Sequence, residues 1–287
     1  MNINDDSNLC KVKSGLYIIS TPIGNLDDIT LRALSTLKSM DIILCEDTRV
    51  SKKLLNHFGI QKPLHSFHDH NESQKLDFIL ESLRKGLRIG LISDAGTPLI
   101  SDPGYKIVKL CSNENIPIIP IPGASSILAA LVGAGVSTDS FFYGGFLPPK
   151  DSQRKTYLEK IIDLNTTLIF LEAPHRLINC LEGLHSVFPD CYAVVARELT
   201  KTFETFHRGL LSELIHYFSH TPPRGECVII IEKFENEKKT DLHDLLSTLL
   251  KENSFKETVE IACKIYGFSK KESYQMALKI NDSQEPF

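Results

Sequence analysis

Short apolar runs alternate along the chain with longer stretches whose apolar residues recur at helical spacing. The runs at 16–20, 41–45, 88–93 and 116–121 are five or six residues long and rich in Ile and Leu, and they read as strands. The segments between and after them, 30–38, 49–58, 71–85 and 105–113, read as helices. In the third, Leu76, Ile79, Leu80 and Leu83 fall at i, i+3, i+4 and i+7, which gives the helix one buried face. Strand–helix alternation of this kind predicts an α/β fold with a mostly parallel N-terminal sheet covered on both faces.

A second block begins near Asp139, after the small-residue stretch 136–139. Its strands are expected at 140–146, 167–172, 191–198, 202–209 and 226–234, and its helices at 153–164, 176–188 and 211–218. The two strands flanking Thr200 leave no room for a helical crossover, so this sheet is expected to be mixed. A charged linker, 235–240, leads to a helical end. There Ser254 with Glu257, and Ser269 with Glu272, have the spacing of a capping box, in which side chains satisfy the orphan N–H groups of a helix start. Val259, Ala262, Cys263 and Tyr266 form one apolar face, Gly267 allows a tight turn, and Tyr274, Ala277 and Leu278 continue the face. This is a helix-turn-helix-like pattern, and a simple packing appendage would look the same. The expected organisation is a flexible tail (1–13), an N-terminal α/β domain (14–137), a C-terminal α/β domain (138–235) and a helical appendage (236–287).

Composition narrows the classes. Hydrophobic residues are 42% and charged residues 24% of the 287, as in ordinary globular proteins. No apolar run reaches the roughly 18 residues of a membrane span, and 1–13 lacks the apolar core of a secretory signal. None of the seven cysteines forms a C-x-x-C pair, so neither a zinc site nor a disulfide framework is indicated, and the odd count fits a reducing compartment. A cytoplasmic location without membrane attachment is expected. Net charge is −4, which gives no general pointer to nucleic acid, so any RNA contact must use local basic clusters.

Ligands of open α/β sheets bind beyond the carboxyl ends of the strands, and unusual loops follow the strands here. Thr21, Pro22, Ile23 and Gly24 form a turn that is neither a Walker loop nor G-x-G-x-x-G; alone it reads equally as a tight strand–helix connection. Residues 93–104 make a long loop of small and turn-forming residues inside a compact domain, a usual mark of function. In it, Asp94, Ala95, Gly96 and Thr97 stand at the strand end; Asp94 suits a ligand hydroxyl or amine, or caps the next turn. Asp102-Pro103-Gly104 reads as the start of a helix. Ser125 and Ser126 follow the 116–121 strand and suit a flat ligand against the main chain, or an N-cap. Glu46, Asp47 and Arg49 with His68 form an acidic and basic group at the sheet edge suited to substrate positioning. His68-x-His70 with Asp69 and Glu72 has metal-ligand residue types, but no companion ligand cluster accompanies them, and no metal is expected.

Taken in order, these segments resemble one family. L-Y-I-I-S-T-P-I-G-N-L-D-D-I-T-L-R-A-L from Leu16, C-E-D-T-R from Cys45, S-F-H-D-H-N-E from Ser66, S-D-A-G-T-P-L-I-S-D-P-G-Y from Ser93 and I-P-G-A-S-S from Ile121 are similar to the ribosomal RNA small subunit methyltransferase I family, of the tetrapyrrole methylase superfamily. So are G-F-L-P-P-K from Gly145, E-A-P-H-R-L from Glu172, A-R-E-L-T-K from Ala196 and R-G-E from Arg224. The family often has Ala at Ser20, Pro at Ala124, Ser at Ala173 and Lys at Arg224.

The resemblance implies a two-domain tetrapyrrole-methylase-like fold, a homodimer, and S-adenosyl-L-methionine held between the domains. The implied reaction is 2'-O-methylation of a cytidine ribose in the decoding region of 16S rRNA. Carried over by position, Thr21, Pro22 and Ile23 would edge the cleft, Asp94, Ala95, Gly96 and Thr97 would hold the methionine part, and Ser125 and Ser126 its backbone end. Glu172, Ala173 and Gly225 would approach the adenosine. Glu46, Asp47 and His68 are base candidates, with Arg49 positioning a phosphate. RNA contacts are expected from Arg49, Lys52 and Lys53, from Lys150, Arg154 and Lys155, and from the C-terminal helices. Two other readings stay open: a methylase of a tetrapyrrole carbon on the same fold, and a non-catalytic ribosome-assembly factor.

Overall fold

The computed structural model describes residues 12–69, 71–232, 242–265 and 268–282. The first half holds five strands, β1 (Gly15–Ile19), β2 (Ile42–Cys45), β3 (Leu64–Ser66), β4 (Arg88–Ile92) and β5 (Ile118–Ile121). They form one sheet in the order β3-β2-β4-β1-β5, with every pairing parallel. The connecting helices are α1 (Leu31–Ser39), α2 (Thr48–His57), α3 (Glu72–Arg84) and α4 (Tyr105–Asn113). Strand residues alternate between two cores: Tyr17, Ile19 and Ile43 pack with Ala33, Leu37 and Leu55 on one face, and Leu16, Leu44 and Leu91 with Ile79, Leu83 and Ile107 on the other. Because all five strands run the same way, the residues following each of them fall along one edge of the sheet.

The second sheet contains β6 (Phe141–Phe146), β7 (Thr167–Glu172), β8 (Tyr192–Arg197), β9 (Thr205–Leu210) and β10 (Cys227–Ile231), in the order β6-β7-β10-β8-β9. Only β6–β7 is parallel, so the sheet is mixed, as the close spacing of strands around Thr200 requires. Helices α6 (Asp151–Glu159), α7 (Leu177–His185) and α8 (Leu211–His220) contribute Leu158, Leu181 and Leu214 to the core on one face. Cys227 pairs with both Glu172 and Arg197, which brings the end of β7, the start of β10 and the end of β8 to one edge.

Two elements lie outside the set that the apolar pattern predicts. The strand β3 has three residues, too few to alternate visibly. Helix α5 (Ser126–Ala134) reads SILAALVGA, apolar on every side, and so has no amphipathic period. This helix joins the two halves: Ala130, Leu131 and Ala134 pack with Ile169, Val194, Val228 and Ile230 on the free face of the second sheet. Its close approach depends on Gly133, where a Cβ would overlap the Phe206 ring. Arg208 closes the helix, donating from Nε to Ala134 O (3.0 Å) and from Nη2 to Gly133 O (2.6 Å). A second seam lies at Gly24, where a Cβ would come within 2.9 Å of Leu199 O, and the adjacent Asn25 N–H donates to Thr200 Oγ1 at 3.0 Å.

The described residues from 242 onward form a separate compact unit. It holds three helices among the described residues, α9 (Leu242–Leu249), α10 (Phe255–Lys264) and α11 (Lys270–Asp282), around Leu246, Val259, Ala262, Ala277 and Ile280. The capping box at Ser254 and Glu257 is formed, and Ser269 Oγ accepts from Glu272 N–H at 3.4 Å. The expected helix pair is therefore completed by a third helix, while Tyr266 and Gly267 of the turn lie outside the described residues. The linker 235–240 and most of the tail 1–13 also lie outside them. Among the described residues no helix is long and apolar enough to cross a membrane.

Candidate active site

The strand ends of the two sheets face each other across a cavity of about 410 Å³, within the size range of small-molecule sites, roughly 300–1,000 Å³. The first half contributes Ile23 after β1, Glu46 after β2, Asp94 to Thr97 after β4, and Ser125 and Ser126 where α5 begins. The second half contributes Tyr143 and Phe146 of β6, Leu171 and Glu172 of β7 with Ala173 and Pro174, Leu199 after β8, and Glu226 to Val228 around the start of β10.

Local chemistry fixes these walls. Thr21 and Gly96 exchange backbone hydrogen bonds of 2.8 and 3.1 Å, and Thr21 Oγ1 donates to Ser93 O at 3.2 Å. The bridge stitches the first turn to the long loop. Gly96 takes φ +78°, a left-handed conformation that side chains disfavour, and a Cβ there would crowd Ile23 of the cavity wall. Thr97 Oγ1 donates to Ala124 O at 3.2 Å, tying the loop to the start of α5. Ser125 caps that helix, accepting from Leu128 N–H at 3.5 Å. The first N–H groups of any helix lack intrahelical partners, which makes its start a suitable seat for a carboxylate.

The field inside the cavity is uneven. Glu46, Asp94 and Asp102 line it from the first half. Burial, and then their mutual repulsion, pushes the Glu46 carboxyl above the usual range. Burial likewise pushes Asp94 up, although Asp94 Oδ1 accepts from Asp47 N–H at 3.1 Å. Asp102 is pushed up to about 6, first by burial and then by the Glu46 charge. Carboxylates gathered in this way favour a cationic guest. Across the cavity, the Glu172 side chain is fully buried. Its Oε1 accepts from Ala173 N–H at 2.8 Å and pairs with Arg176 Nε at 3.2 Å, while Oε2 has no hydrogen-bond partner among the described residues.

The structure thus brings Ile23, Asp94, Ala95, Gly96, Thr97, Ser125, Ser126, Glu172, Ala173 and Glu46 to one cavity, and leaves other expected residues outside its lining. Thr21 and Pro22 are buried behind the wall, where Thr21 supports Gly96. Gly225, with φ +77°, packs against the Glu198 carboxylate, and its neighbours Glu226 and Cys227 reach the cavity instead. Asp47 caps α2, accepting from Arg49 N–H at 2.8 Å and pairing with Arg49 Nη2 at 2.6 Å. That guanidinium, itself 86% exposed, holds the Asp47 carboxyl down at about 2. A carboxylate held so low is a poor proton acceptor. His68 shapes the turn before α3: its N–H donates to Asn71 Oδ1 at 3.0 Å, and its Nε2 lies 3.0 Å from Asn71 Nδ2.

Arg154, expected to meet RNA, is buried, pairs with Asp151 and packs beside Gly183. Among the described residues no His, Cys, Asp and Glu side chains group to hold a metal, and His70 lies outside those residues. Tyr143, Phe146, Leu199 and Glu226 of the second half are site residues that reading the sequence missed, and so is Asp102. Gly104 does precede α4, as Asp-Pro-Gly implies, but left-handed Leu99 (φ 72°) and Ser101 (φ 65°) turn Asp102 back toward the cavity. No local signal announces that reversal.

Paired sheets closing strand-end turns over a cavity define a class of protein, and comparison with known proteins identifies it. The family profile described as Tetrapyrrole (Corrin/Porphyrin) Methylases matches residues 15–215. Solved structures share the fold: diphthine synthase aligns with a TM-score of 0.61 at 14% identity, over 77% of this chain and 91% of that one. A cobalt precorrin-4 methyltransferase aligns with a TM-score of 0.54 at 17% identity, over 76% and 94%. At the sequence level, Ribosomal RNA small subunit methyltransferase I of Haemophilus influenzae is 43% identical over 274 residues, covering 92% of this chain and 96% of the relative. The protein of that name from Escherichia coli O157:H7 is 44% identical over 270 residues, covering 92% and 94%. The chain belongs to the tetrapyrrole methylases and, within them, to the ribosomal RNA small subunit methyltransferase I family.

Proposed function

We propose that this protein transfers the methyl group of S-adenosylmethionine to the 2'-hydroxyl of a cytidine ribose in the decoding region of 16S rRNA, acting in the cytoplasm as a homodimer. The rRNA substrate follows the name carried by relatives at 43% and 44% identity. The observation that carries the reading is the polarity of the cavity: carboxylates at one side, a helix start beside them, and apolar Ile23, Leu171 and Val228 across it.

That pattern fits the donor part by part. Asp94 and Glu46 match the sulfonium and ammonium charges. Ser125 and Ser126, at the start of α5, offer main-chain N–H groups to the carboxylate, with Gly96 shaping the wall beside them. Glu172 and Ala173, at the end of β7, edge the adenosine side, and Ile23, Leu171 and Val228 offer apolar surface to the adenine. Thr21, Pro22, Thr97, Ala95 and Gly225 hold these walls in place.

When bound, the donor supplies an electrophilic methyl group on a sulfonium. The protein's own contribution is to align the ribose oxygen with that methyl group and to accept its proton. Of the base candidates, Glu46 lines the cavity while Asp47 and His68 stand outside it. Asp102 joins Glu46, and with a pKa near 6 it is ionised at pH 7 yet more basic than an ordinary aspartate, so it is the better acceptor. Arg49, exposed at the start of α2, stands where a phosphate can approach. The homodimer implied by the resemblance has support in Leu128 and Val132, which lie one turn apart on α5 with 52% and 77% of their surfaces exposed.

The test is mass mapping of 16S rRNA from small subunits lacking the modification, after incubation with the protein and donor. One methyl group on a single cytidine ribose is expected. A methyl group on a base, or labelling of a tetrapyrrole but not of RNA, would exclude the proposal; donor binding without any transfer would favour an assembly factor.

A further inference from the structure

Beyond the cavity, α2 forms one bank of an open groove of about 630 Å³. Arg49, Lys52, Lys53 and Asn56 fall at i, i+3, i+4 and i+7, a single exposed stripe roughly 10 Å long. The opposite side of the helix is buried through Ser51 and Leu55, which fixes the rotation of the stripe. The segment leading into β3 forms the other bank, with Gln61 and Lys62. No carboxylate lines the groove, although the whole chain carries a net charge of −4. Among the described residues, Lys52, Lys53 and Lys62 have no carboxylate within ion-pair distance; Lys62 acts only at longer range, on Asp41, which Arg88 already pairs. Arg49 is different: Asp47 neutralises it and holds its fork in one orientation.

The groove begins where the chain leaves the site. Glu46 lines the cavity, the Asp47 N–H bonds to Asp94 on the cavity wall, and Thr48 and Arg49 already line the groove. Two residues of chain, Asp47 and Thr48, separate cavity-lining Glu46 from Arg49 at the head of the stripe.

Resting on the rRNA reading above, we propose that this groove seats the phosphate backbone of the substrate RNA next to the target nucleotide. Ammonium groups contact phosphates as point charges, and the Asn56 and Gln61 amides can meet sugar or base edges. Each phosphate neutralised releases counterions, which adds about 0.7 to the salt slope for single strands.

The test measures binding of 16S rRNA and of small subunits across a salt series, for the wild type and for Lys52→Glu/Lys62→Glu. The double variant is expected to bind at least ~10-fold more weakly at 100 mM salt, with a slope lower by about 1.4. Lys52→Gln alone, the milder change, should lower the slope by about 0.7. Lys109→Glu, exposed on α4, which packs on the opposite face of the first sheet from α2, is the control that should change neither. Affinity for S-adenosylmethionine should be the same in all four proteins, which also reports that they are folded. Equal RNA affinity and slope for wild type and double variant would overturn the groove proposal while leaving the methylation reading intact. A wild type that binds and methylates no rRNA would overturn both.

Discussion

Asp102→Asn separates what the cavity costs the fold from what it gives the reaction. Burial and the Glu46 charge raise the Asp102 pKa from 3.8 to about 6. The folded protein therefore holds this proton more tightly than the unfolded chain does. Protonated Asp102 adds stability below pH 4, and that contribution is lost as pH rises to about 6. At 1.36 kcal/mol per pH unit the ceiling is about 3 kcal/mol, and partial exposure of the side chain brings the expected value to about 1–2 kcal/mol. An asparagine carries no charge at any pH. The variant should match the wild type at pH 4 and exceed it by about 1–2 kcal/mol at pH 8, read by urea unfolding at both pH values. Methyl transfer should move the other way. Wild-type initial rates should rise with pH through about 6 and level off, as a base must be ionised, and the variant should lose about 100-fold or more. A variant no more stable at pH 8 than the wild type would refute the burial argument, and an undiminished rate would refute the base assignment.

Other perturbations follow from the same geometry. Gly133→Ala would ordinarily stabilise a helix by about 1 kcal/mol, but the Phe206 ring occupies the space, so a loss of about 1–3 kcal/mol is expected in denaturant unfolding; a gain in stability would contradict the packing described. Glu172→Gln exchanges the buried charge-assisted contact with Arg176 for a neutral one, so a loss of about 1–3 kcal/mol is expected in denaturant unfolding, and unchanged stability would mean that this pair does not hold the end of β7. Thr97→Val removes the hydroxyl that ties the long loop to Ala124; a donor affinity lowered about five-fold, near 1 kcal/mol, is expected, and no change would mean the loop is held without it.

Much of this was legible in the sequence, for identifiable reasons. Strands such as Arg88–Ile92 and helices such as Tyr105–Asn113 bury one side, so their periodicity is written in the chain. Parallel strands place their ends along one edge, so loops after β1, β2, β4 and β5 could be grouped before any coordinates. Helix α5 was not legible because it is apolar throughout, and it is this helix that joins the halves. Asp102 was not legible because its orientation depends on two left-handed residues, Leu99 and Ser101, neither of them glycine. Arg154 looked like a surface cation, and only the fold reveals that its carbonyl and Asp151 partners enclose it.

The central claim is that the strand-end turns of two sheets enclose the methyl donor. It is tested most directly by calorimetric titration of S-adenosylmethionine into the wild type and into Ala173→Trp, whose indole would fill the cavity beside Glu172. One donor per chain is expected to bind the wild type, and none the variant, at unchanged melting temperature. A donor that binds both proteins equally, or neither, would contradict the account.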